Sequence, residues 1–379
     1  MTVAPTEELQ ALEDMARDFA RNELAPHAAR WDREEIFPEE ALRLAASLGM
    51  AGICVAEAHG GAGLGRLEAA IVFEALAGGC TSTAAYLSIH NMVAWMVDRF
   101  GDDRQRAGFL PDLVGMRRFA SYCLTEPDAG SDAASLATSA RRDGDTYVLD
   151  GTKAFISGGG RSDLYLVMAR TGGAGAAGIS AFLVEQGSPG LGFGKNEAKL
   201  GWHSQPTAMV HLEAVRVPAA NRLGAAGEGF KIAMAGLDGG RVNIAACSLG
   251  AAAVCLEKSI AYVKDRRQFG QPLASLQAVQ FTLADMATEL EAARLLTHSA
   301  ARKLDQGAPD ATASVAMAKR FATDAGFRIV DQALQLHGGY GYLADYAIER
   351  YFRDTRVHRI LEGTNEIMRL VIARRLLAD

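Results

Sequence analysis

The sequence predicts an α+β chain in three successive parts: an all-α N-terminal domain over residues 1–120, a central antiparallel β domain over 121–228, and a helical bundle over 229–379. Two observations carry this. In the first and last thirds apolar residues recur every three or four positions, the period of an amphipathic helix. In the middle they fall into short runs bounded by Gly, Asp, Ser and Pro, the habit of strands and turns. At 379 residues, 49% hydrophobic and 22% charged, the chain is long enough to bury a large core.

From Glu7 to about Arg21, Leu9, Leu12, Ala16 and Phe19 share one helical face, and Ala25-Pro26 is expected to disturb that helix. Alanine-rich helical stretches follow near 39–48, 66–77, 81–99 and 104–114, separated by Gly60-Gly61-Ala62-Gly63 and Gly78-Gly79. Thr146 to Leu149, Leu164 to Ala169, Ser180 to Val184 and Ala208 to Leu212 read as antiparallel strands. After Gly229 the strand signals stop. Val279, Leu283, Met286, Leu290 and Ala293 make a stripe on a long helix, as a bundle requires. The final helix carries Ile367, Leu370, Val371 and Leu377 on one side, with Thr364 placed to cap its start.

Several functions are disfavoured by composition. A net charge of -6 without a basic run argues against nucleic acid and anionic membrane surfaces as partners. The five cysteines (Cys54, Cys80, Cys123, Cys247, Cys255) show no C-x-x-C spacing, so neither a disulfide framework nor a metal site is expected. No run of 18 uninterrupted apolar residues occurs, and the opening is acidic without a signal or transit pattern; no membrane insertion and a cytoplasmic location are expected, a processed mitochondrial matrix chain reading the same way. Gly173, Gly175 and Gly178 satisfy G-x-G-x-x-G. A strand follows them, not the helix whose N-terminus would hold a pyrophosphate, so the patch reads as a hairpin loop.

What remains is a set of polar and glycine clusters in apolar surroundings: LTEPDAGSD (124–132), KAFISGGG (153–160), LDGGR (237–241), DRRQFGQPL (265–273), QLHGGYGY (335–342) and ILEGTNE (360–366). Repeated Gly beside Ser and Thr lets backbone N–H groups approach phosphate oxygens. Their separation suits one large nucleotide-like cofactor gripped from several directions.

In this order and spacing the clusters resemble the acyl-CoA dehydrogenase family, over essentially the whole chain. GWHSQPT (201–207), Asn243 with CSLGAA (247–252) and HGGYGYLADYA (337–347) most resemble the branch acting on isobutyryl-CoA. The resemblance implies a C-terminal four-helix bundle, FAD as cofactor, acyl-CoA as substrate, an electron-transfer flavoprotein as electron acceptor and a homotetramer built as a dimer of dimers. It implies that Tyr122, Leu124, Thr125, Gly130 and Ser131 line the flavin and pyrophosphate, Ser131 also lying near the CoA arm. Phe155, Ile156 and Ser157 would lie against the isoalloxazine; many relatives have Trp and Thr where Phe155 and Ser157 stand, so the apolar wall and the hydroxyl persist without the indole N–H. Arg266, Phe269, Gln277, Gln335, Leu336, His337, Gly338 and Gly339 would reach the FAD of a neighbouring subunit, and Thr364 and Glu366 would contact cofactor. Asp238, Arg241, Gly363 and Arg374 would contact substrate, Arg suiting phosphate through its paired N–H donors.

Glu362 is the implied catalytic base. Standing alone, it is a charge well placed at a helix N-terminus; within the whole motif set it is the group that takes the α-proton. An unactivated α-proton demands a base with a raised pKa, and burial beside an acyl chain is expected to bring a Glu to about 6 to 7 against the helix dipole. The resemblance assigns hydrogen bonds to the thioester oxygen to the Glu362 N–H and the ribityl chain of FAD. Some branches place the base one residue before the substrate-contacting Arg. That position is Gly240 here, leaving Asp238 as the weaker rival. Gly239-Gly240 removes bulk beside the acyl site, which suits an α-methyl branch. Isobutyryl-CoA to methacrylyl-CoA, a step of valine catabolism, is the expected reaction, with butyryl-CoA or 2-methylbutyryl-CoA next. An acyl-CoA oxidase and a non-catalytic acyl-CoA- or flavin-binding scaffold are the competing classes.

Overall fold

Thr6 starts the first helix by accepting the Leu9 N–H on its hydroxyl, an N-cap bond. The computed structural model describes residues 6–378. Helix α1 (Glu7–Phe19) does not stop at Ala25-Pro26. It passes through a π-helical turn, Ala20–Leu24, into α2 (Ala25–Arg33). Pro26 falls in the first turn of α2, directly after the π turn has shifted the helical hydrogen-bond register, a position where a residue without an N–H is tolerated. Helices α3 (Glu39–Ser47), α4 (Arg66–Gly79), α5 (Thr81–Phe100) and α6 (Asp103–Val114) follow, close to the predicted stretches.

The central strands are β1 (Ala120–Cys123), β2 (Ser139–Asp143), β3 (Thr146–Ser157), β4 (Leu164–Arg170), β5 (Ile179–Glu185), β6 (Leu191–Phe193), β7 (Thr207–Pro218) and β8 (Arg222–Leu223). They form one eight-stranded sheet in the order β6-β7-β3-β2-β4-β5-β8, with β1 added on β4. The sheet is mixed, not purely antiparallel as expected. β1 runs parallel to β4, and β2 meets β4 in parallel at Ser139 and Arg170. The long connection from Cys123 to Leu164, carrying β2 and β3, supplies the crossover that parallel pairing needs. The glycine-rich patch at 171–178 is the β4–β5 hairpin connection.

Strands β4 and β5 are buried on both faces, which is why they read as nearly unbroken apolar runs. Leu164, Leu166, Met168, Ala181 and Leu183 pack on α5 and α6, while Tyr165, Val167, Phe182 and Val184 pack on side chains of β3 and β7. Two register irregularities interrupt the β3–β7 ladder, and the second, between Lys153 and Ile156, contains Phe155.

Helix α7 (Gly229–Asp265) is 37 residues long and apolar enough by composition to cross a membrane, yet it runs through the core packed by α4, α5, α8 and α9. A two-stranded hairpin, β9 (Arg267–Gln268) and β10 (Gln271–Pro272), leads to α8 (Gln277–Asp305), α9 (Ala311–His337), α10 (Ile348–Arg356) and α11 (Asn365–Leu376). On α8 the predicted stripe holds, with Met286, Leu290 and Ala293 buried. On α11 it does not. Leu370 and Leu377 are exposed and the helix buries only Asn365 and Met368.

Candidate active site

The segment between α10 and α11 holds Glu362 in an unusual backbone state. Glu362 has φ 53° and Gly363 φ 91°, two successive left-handed residues that turn the chain sharply before Thr364 caps α11 through the Ile367 N–H. A non-glycine residue at positive φ is strained, and such strain persists only where surrounding contacts over-determine it. Those contacts are visible. Arg241 on α7 donates from Nε to the Glu362 carbonyl at 3.0 Å. Lys319 on α9 donates from Nζ to the Gly363 carbonyl at 2.8 Å and to Asn365 Oδ1 at 3.1 Å. Arg241 is oriented in turn by Asp238 Oδ1 at 2.8 Å, and Asp238 Oδ2 accepts from Thr312. Upstream, His358 Nδ1 lies 2.7 Å from Ser248 Oγ, and Arg359 pairs with Asp324.

While the backbone is clamped, the carboxyl is left alone. Glu362 Oε2 is buried without a hydrogen-bond partner among the described residues. It lies against α7 where a Cβ at Gly240 would come within 2.5 Å of it. Burial pushes the Glu362 pKa up to about 7, against the pull of Arg241 and Lys319. Tyr122 on β1 faces the same charges: burial raises its pKa, Glu362 reinforces that, and its hydroxyl is buried with no acceptor. Two orphaned polar groups from different domains thus share one buried space, and the polar ends of a ligand would satisfy them.

Leu124, Thr125, Gly130 and Ser131 stand beside Phe155, Ile156 and Ser157 because the two segments are tied together. Ala154 N–H donates to Thr125 O at 2.8 Å, and Lys153 Nζ donates to Leu124 O at 3.1 Å and Glu126 Oε1 at 2.8 Å. Glu126 also accepts the Ala137 and Thr138 N–H groups, and its carboxyl pKa is lowered: burial opposes, but Lys153 and these donors prevail. The sheet irregularity holds Phe155 at φ 59° and turns its ring outward, 69% exposed, while its neighbours Ala154 and Ile156 are buried. A β-bulge re-aims a side chain in this way. A Cβ at Gly130 would meet nothing within 4 Å, so the protein itself does not require glycine there. An outward aromatic face beside a loop whose backbone is left bare fits a planar ring system carrying phosphates, as the isoalloxazine and pyrophosphate of FAD would.

The remaining predicted residues lie elsewhere. Arg266, just past α7, sits 5.4 Å over the Tyr340 ring, and Tyr262 stacks on His337 at 4.4 Å. Phe269 is 91% exposed, and Gln277, Gln335, Gly338 and Gly339 are exposed nearby in the fold. With about 1.5 Å of rise per residue, α7 carries Arg266 roughly 37 Å from Arg241, a gap no side chain closes within one chain. Arg374 is exposed on the last turn of α11, and exposed Glu366 pairs with Arg369. A large groove of 1670 Å³ between the α1–α2 arm and α4, α7, α8 and α10 contains none of the candidate catalytic, cofactor-binding or substrate-binding residues named from the sequence. Orphaned buried groups are the better guide to chemistry here than volume. The residue that sequence reasoning missed is Lys319, fully buried beside the Glu362 segment; it stands with Arg320 between the apolar runs SVAMA (314–318) and FA (321–322), and nothing in that pair marks which of the two is buried.

Comparison with known proteins covers all three parts of the chain. The chain matches the family descriptions "Acyl-CoA dehydrogenase, N-terminal domain" over residues 6–117, "middle domain" over 121–215 and "C-terminal domain" over 227–377. It is 57% identical over 374 residues to isobutyryl-CoA dehydrogenase, mitochondrial, of Bos taurus, covering 99% of this chain and 90% of that protein. To the protein of the same name from Dictyostelium discoideum it is 55% identical, covering 100% and 91%. The solved butyryl-CoA dehydrogenase of Megasphaera elsdenii superposes with a TM-score of 0.96 at 40% identity, covering 100% of each chain. With matches spanning all three parts and relatives this similar over their full fold, the chain belongs to the acyl-CoA dehydrogenase family and is an oxidoreductase of that family.

Proposed function

We propose that this FAD-dependent acyl-CoA dehydrogenase acts on a short, α-branched acyl thioester, converting isobutyryl-CoA to methacrylyl-CoA with Glu362 as base. The observation that carries the base assignment is Glu362 Oε2: buried, unpartnered, and held at a pKa of about 7, near the value at which a general base works best at neutral pH. The α-proton moves to this oxygen, the hydride leaves Cβ with its electron pair, and the Cα–Cβ double bond forms. FAD, when bound, supplies the hydride acceptor. Phe155, Ile156, Ser157 and the 122–131 loop would hold its ring and pyrophosphate, with Thr364 and Glu366 at its margin.

The chain's own residues orient the reaction. Arg241 and Lys319 hold the Glu362 and Gly363 carbonyls, which leaves the Glu362 N–H directed by a fixed backbone for donation to the thioester oxygen. Asp238 fixes Arg241, so both oxygens of Asp238 are engaged and it is a poor rival as base. Ser131, Gly363 and Arg374 are the further substrate contacts in this reading. The volumes that side chains at Gly239 and Gly240 would take are filled by the Arg66 guanidinium and the Glu362 carboxyl, so these glycines seat Arg66 and the base and do not open room for a branch at Cα; the 55–57% identical relatives named for isobutyryl-CoA support that substrate class. Electrons would pass on to an electron-transfer flavoprotein. A homotetramer would let the Arg266–Phe269, Gln277 and 335–339 group complete a neighbour's cofactor site. Five unpaired thiols, four of them buried, suit a reducing compartment.

Single-turnover bleaching of the flavin under anaerobic conditions, compared among isobutyryl-CoA, 2-methylbutyryl-CoA and butyryl-CoA, tests the substrate. Isobutyryl-CoA should react fastest; a clear preference for butyryl-CoA would overturn the branched-chain reading.

A further inference from the structure

Lys319 is an ammonium with no exposed surface, and burial of such a group is costly unless acceptors surround it. Its acceptors are the Gly363 carbonyl at 2.8 Å and Asn365 Oδ1 at 3.1 Å. Asn365 is itself held: its amide donates to Asp324 Oδ1 at 3.0 Å and to Thr323 Oγ1 at 2.9 Å. Both acceptors of Lys319 are neutral and both lie within three residues of Glu362. Lys319 forms no salt bridge among the described residues, and the charge set against it first is that of Glu362. An ordinary structural lysine would be satisfied by a fixed carboxylate. This one makes no direct bond to a carboxylate, yet it acts electrostatically on the Glu362 carboxyl, whose Oε2 is buried without a partner among the described residues.

We propose that Lys319 is a positioning residue for Glu362: its ammonium locks the Gly363 carbonyl, and with it the left-handed turn, and provides the counter-charge against which the Glu362 carboxylate forms. The inference rests on Glu362 being the base. Its two parts follow from geometry. Rotating the Gly363 carbonyl away from Nζ would release the φ 53° and φ 91° pair, and with it the direction of the Glu362 carboxyl. Removing the charge would leave Arg241 to oppose desolvation of the carboxylate; Arg66 on α4 lies against Gly239 but is stacked over the Trp95 ring, and the other charged or titratable groups nearby are paired or uncharged. Asp238 is paired with Arg241, and Asp324 with Arg359. Glu366 pairs with Arg369 in solvent, and Arg320 reaches Asp324. His358 is pushed by burial down to about 3, and burial raises the pKa values of Tyr122 and Cys247, so all three are uncharged at neutral pH. Burial brings Lys319 itself down to about 8, against the pull of Glu362, which leaves it above the value of about 7 for Glu362.

The test is the pH dependence of the flavin bleaching rate with isobutyryl-CoA for wild type, Glu362→Gln, Lys319→Met, Lys319→Gln and Lys319→Arg, each loaded with FAD and checked by thermal melting. Loss of the charge should move the rising limb of the Met and Gln variants up by about one pH unit, so that at a fixed pH on the limb the rate falls about tenfold. The plateau should fall more for Met, which donates no hydrogen bond, than for Gln. Arg, keeping the charge, should return the limb to the wild-type position. Should Met not fold, Gln decides. A neutral variant that retains flavin and keeps the wild-type limb and plateau overturns the proposal, as does an Arg variant shifted like Met. A Glu362→Gln enzyme that bleaches like wild type would instead remove the base assignment beneath it, whatever the Lys319 variants do.

Discussion

Glu362 and Phe155 share a property that residue type alone does not reveal: both sit at positive φ, where side-chain-bearing residues are rare. Glu362 was legible as a candidate because ILEGTNE is a distinctive string, and its burial was anticipated from the acyl chain expected beside it. Lys319 was not legible, since a single Lys on a helix is usually a solvated charge, and only tertiary packing shows it fully buried. The raised Glu362 pKa has two consequences with opposite faces. Activity should rise with pH through about 7, as the carboxyl loses its proton and becomes a base. Stability should fall over the same range. An unfolded Glu ionises near 4.5 and the folded one near 7, so between those values the folded chain keeps a proton that the unfolded chain has released. The contribution is fully present below the lower value and is lost as pH rises through the upper one. Glu362→Gln should therefore be more stable than wild type at about pH 8, by roughly 1–3 kcal/mol, with the difference vanishing near pH 4. Urea midpoints at the two pH values measure this.

At the scale of elements, the helix and strand periods were readable because each segment buries one consistent face, and the runs in β4 and β5 were readable because they bury both. What escaped was non-local. Parallel pairing of β1 with β4 depends on a crossover spanning two other strands, and the disturbance expected at Ala25-Pro26 takes the form of a π turn between α1 and α2 that the sequence does not spell out. The apolar side of α11 is legible as a pattern but stays exposed in a single chain. Two substitutions test how elements place the site. Gly240→Ala would put a Cβ about 2.5 Å from Glu362 Oε2, and a displacement near 1 Å of a catalytic group costs on the order of 10²-fold. The rate of flavin bleaching should fall by that order while the melting temperature changes little. Lys153→Met would strand the buried carboxylate of Glu126 and should destabilise the enzyme by about 3–5 kcal/mol. Because Lys153 also ties the 124–126 loop to β3, flavin content after gel filtration should fall with it.

The whole molecule was legible as helix, sheet, helix from the changes of hydrophobic period near residues 121 and 229. How its distant clusters combine was not, because α7 separates Arg241 from Arg266 by its full remaining length. Phe269, 91% exposed, and Tyr342, 78% exposed, are large apolar groups left in water at that far end, an arrangement that marks an interaction surface when such groups cluster. In the tetramer reading they lie where one subunit meets the cofactor of another. Phe269→Asp should weaken the assembly and lower the flavin-to-protein ratio together, by sedimentation and absorbance at matched concentration. Dissociation without loss of flavin would mean that each chain holds its cofactor alone.

The central claim, that Glu362 takes the α-proton in a flavin-dependent dehydrogenation, is tested most directly by anaerobic titration of wild type and Glu362→Gln with isobutyryl-CoA, following the visible absorbance of the oxidised flavin. The account predicts bleaching of the wild type and none of the variant on the same time scale, a loss on the order of 10²–10⁴-fold. A Glu362→Gln enzyme that bleaches as fast as wild type would contradict it.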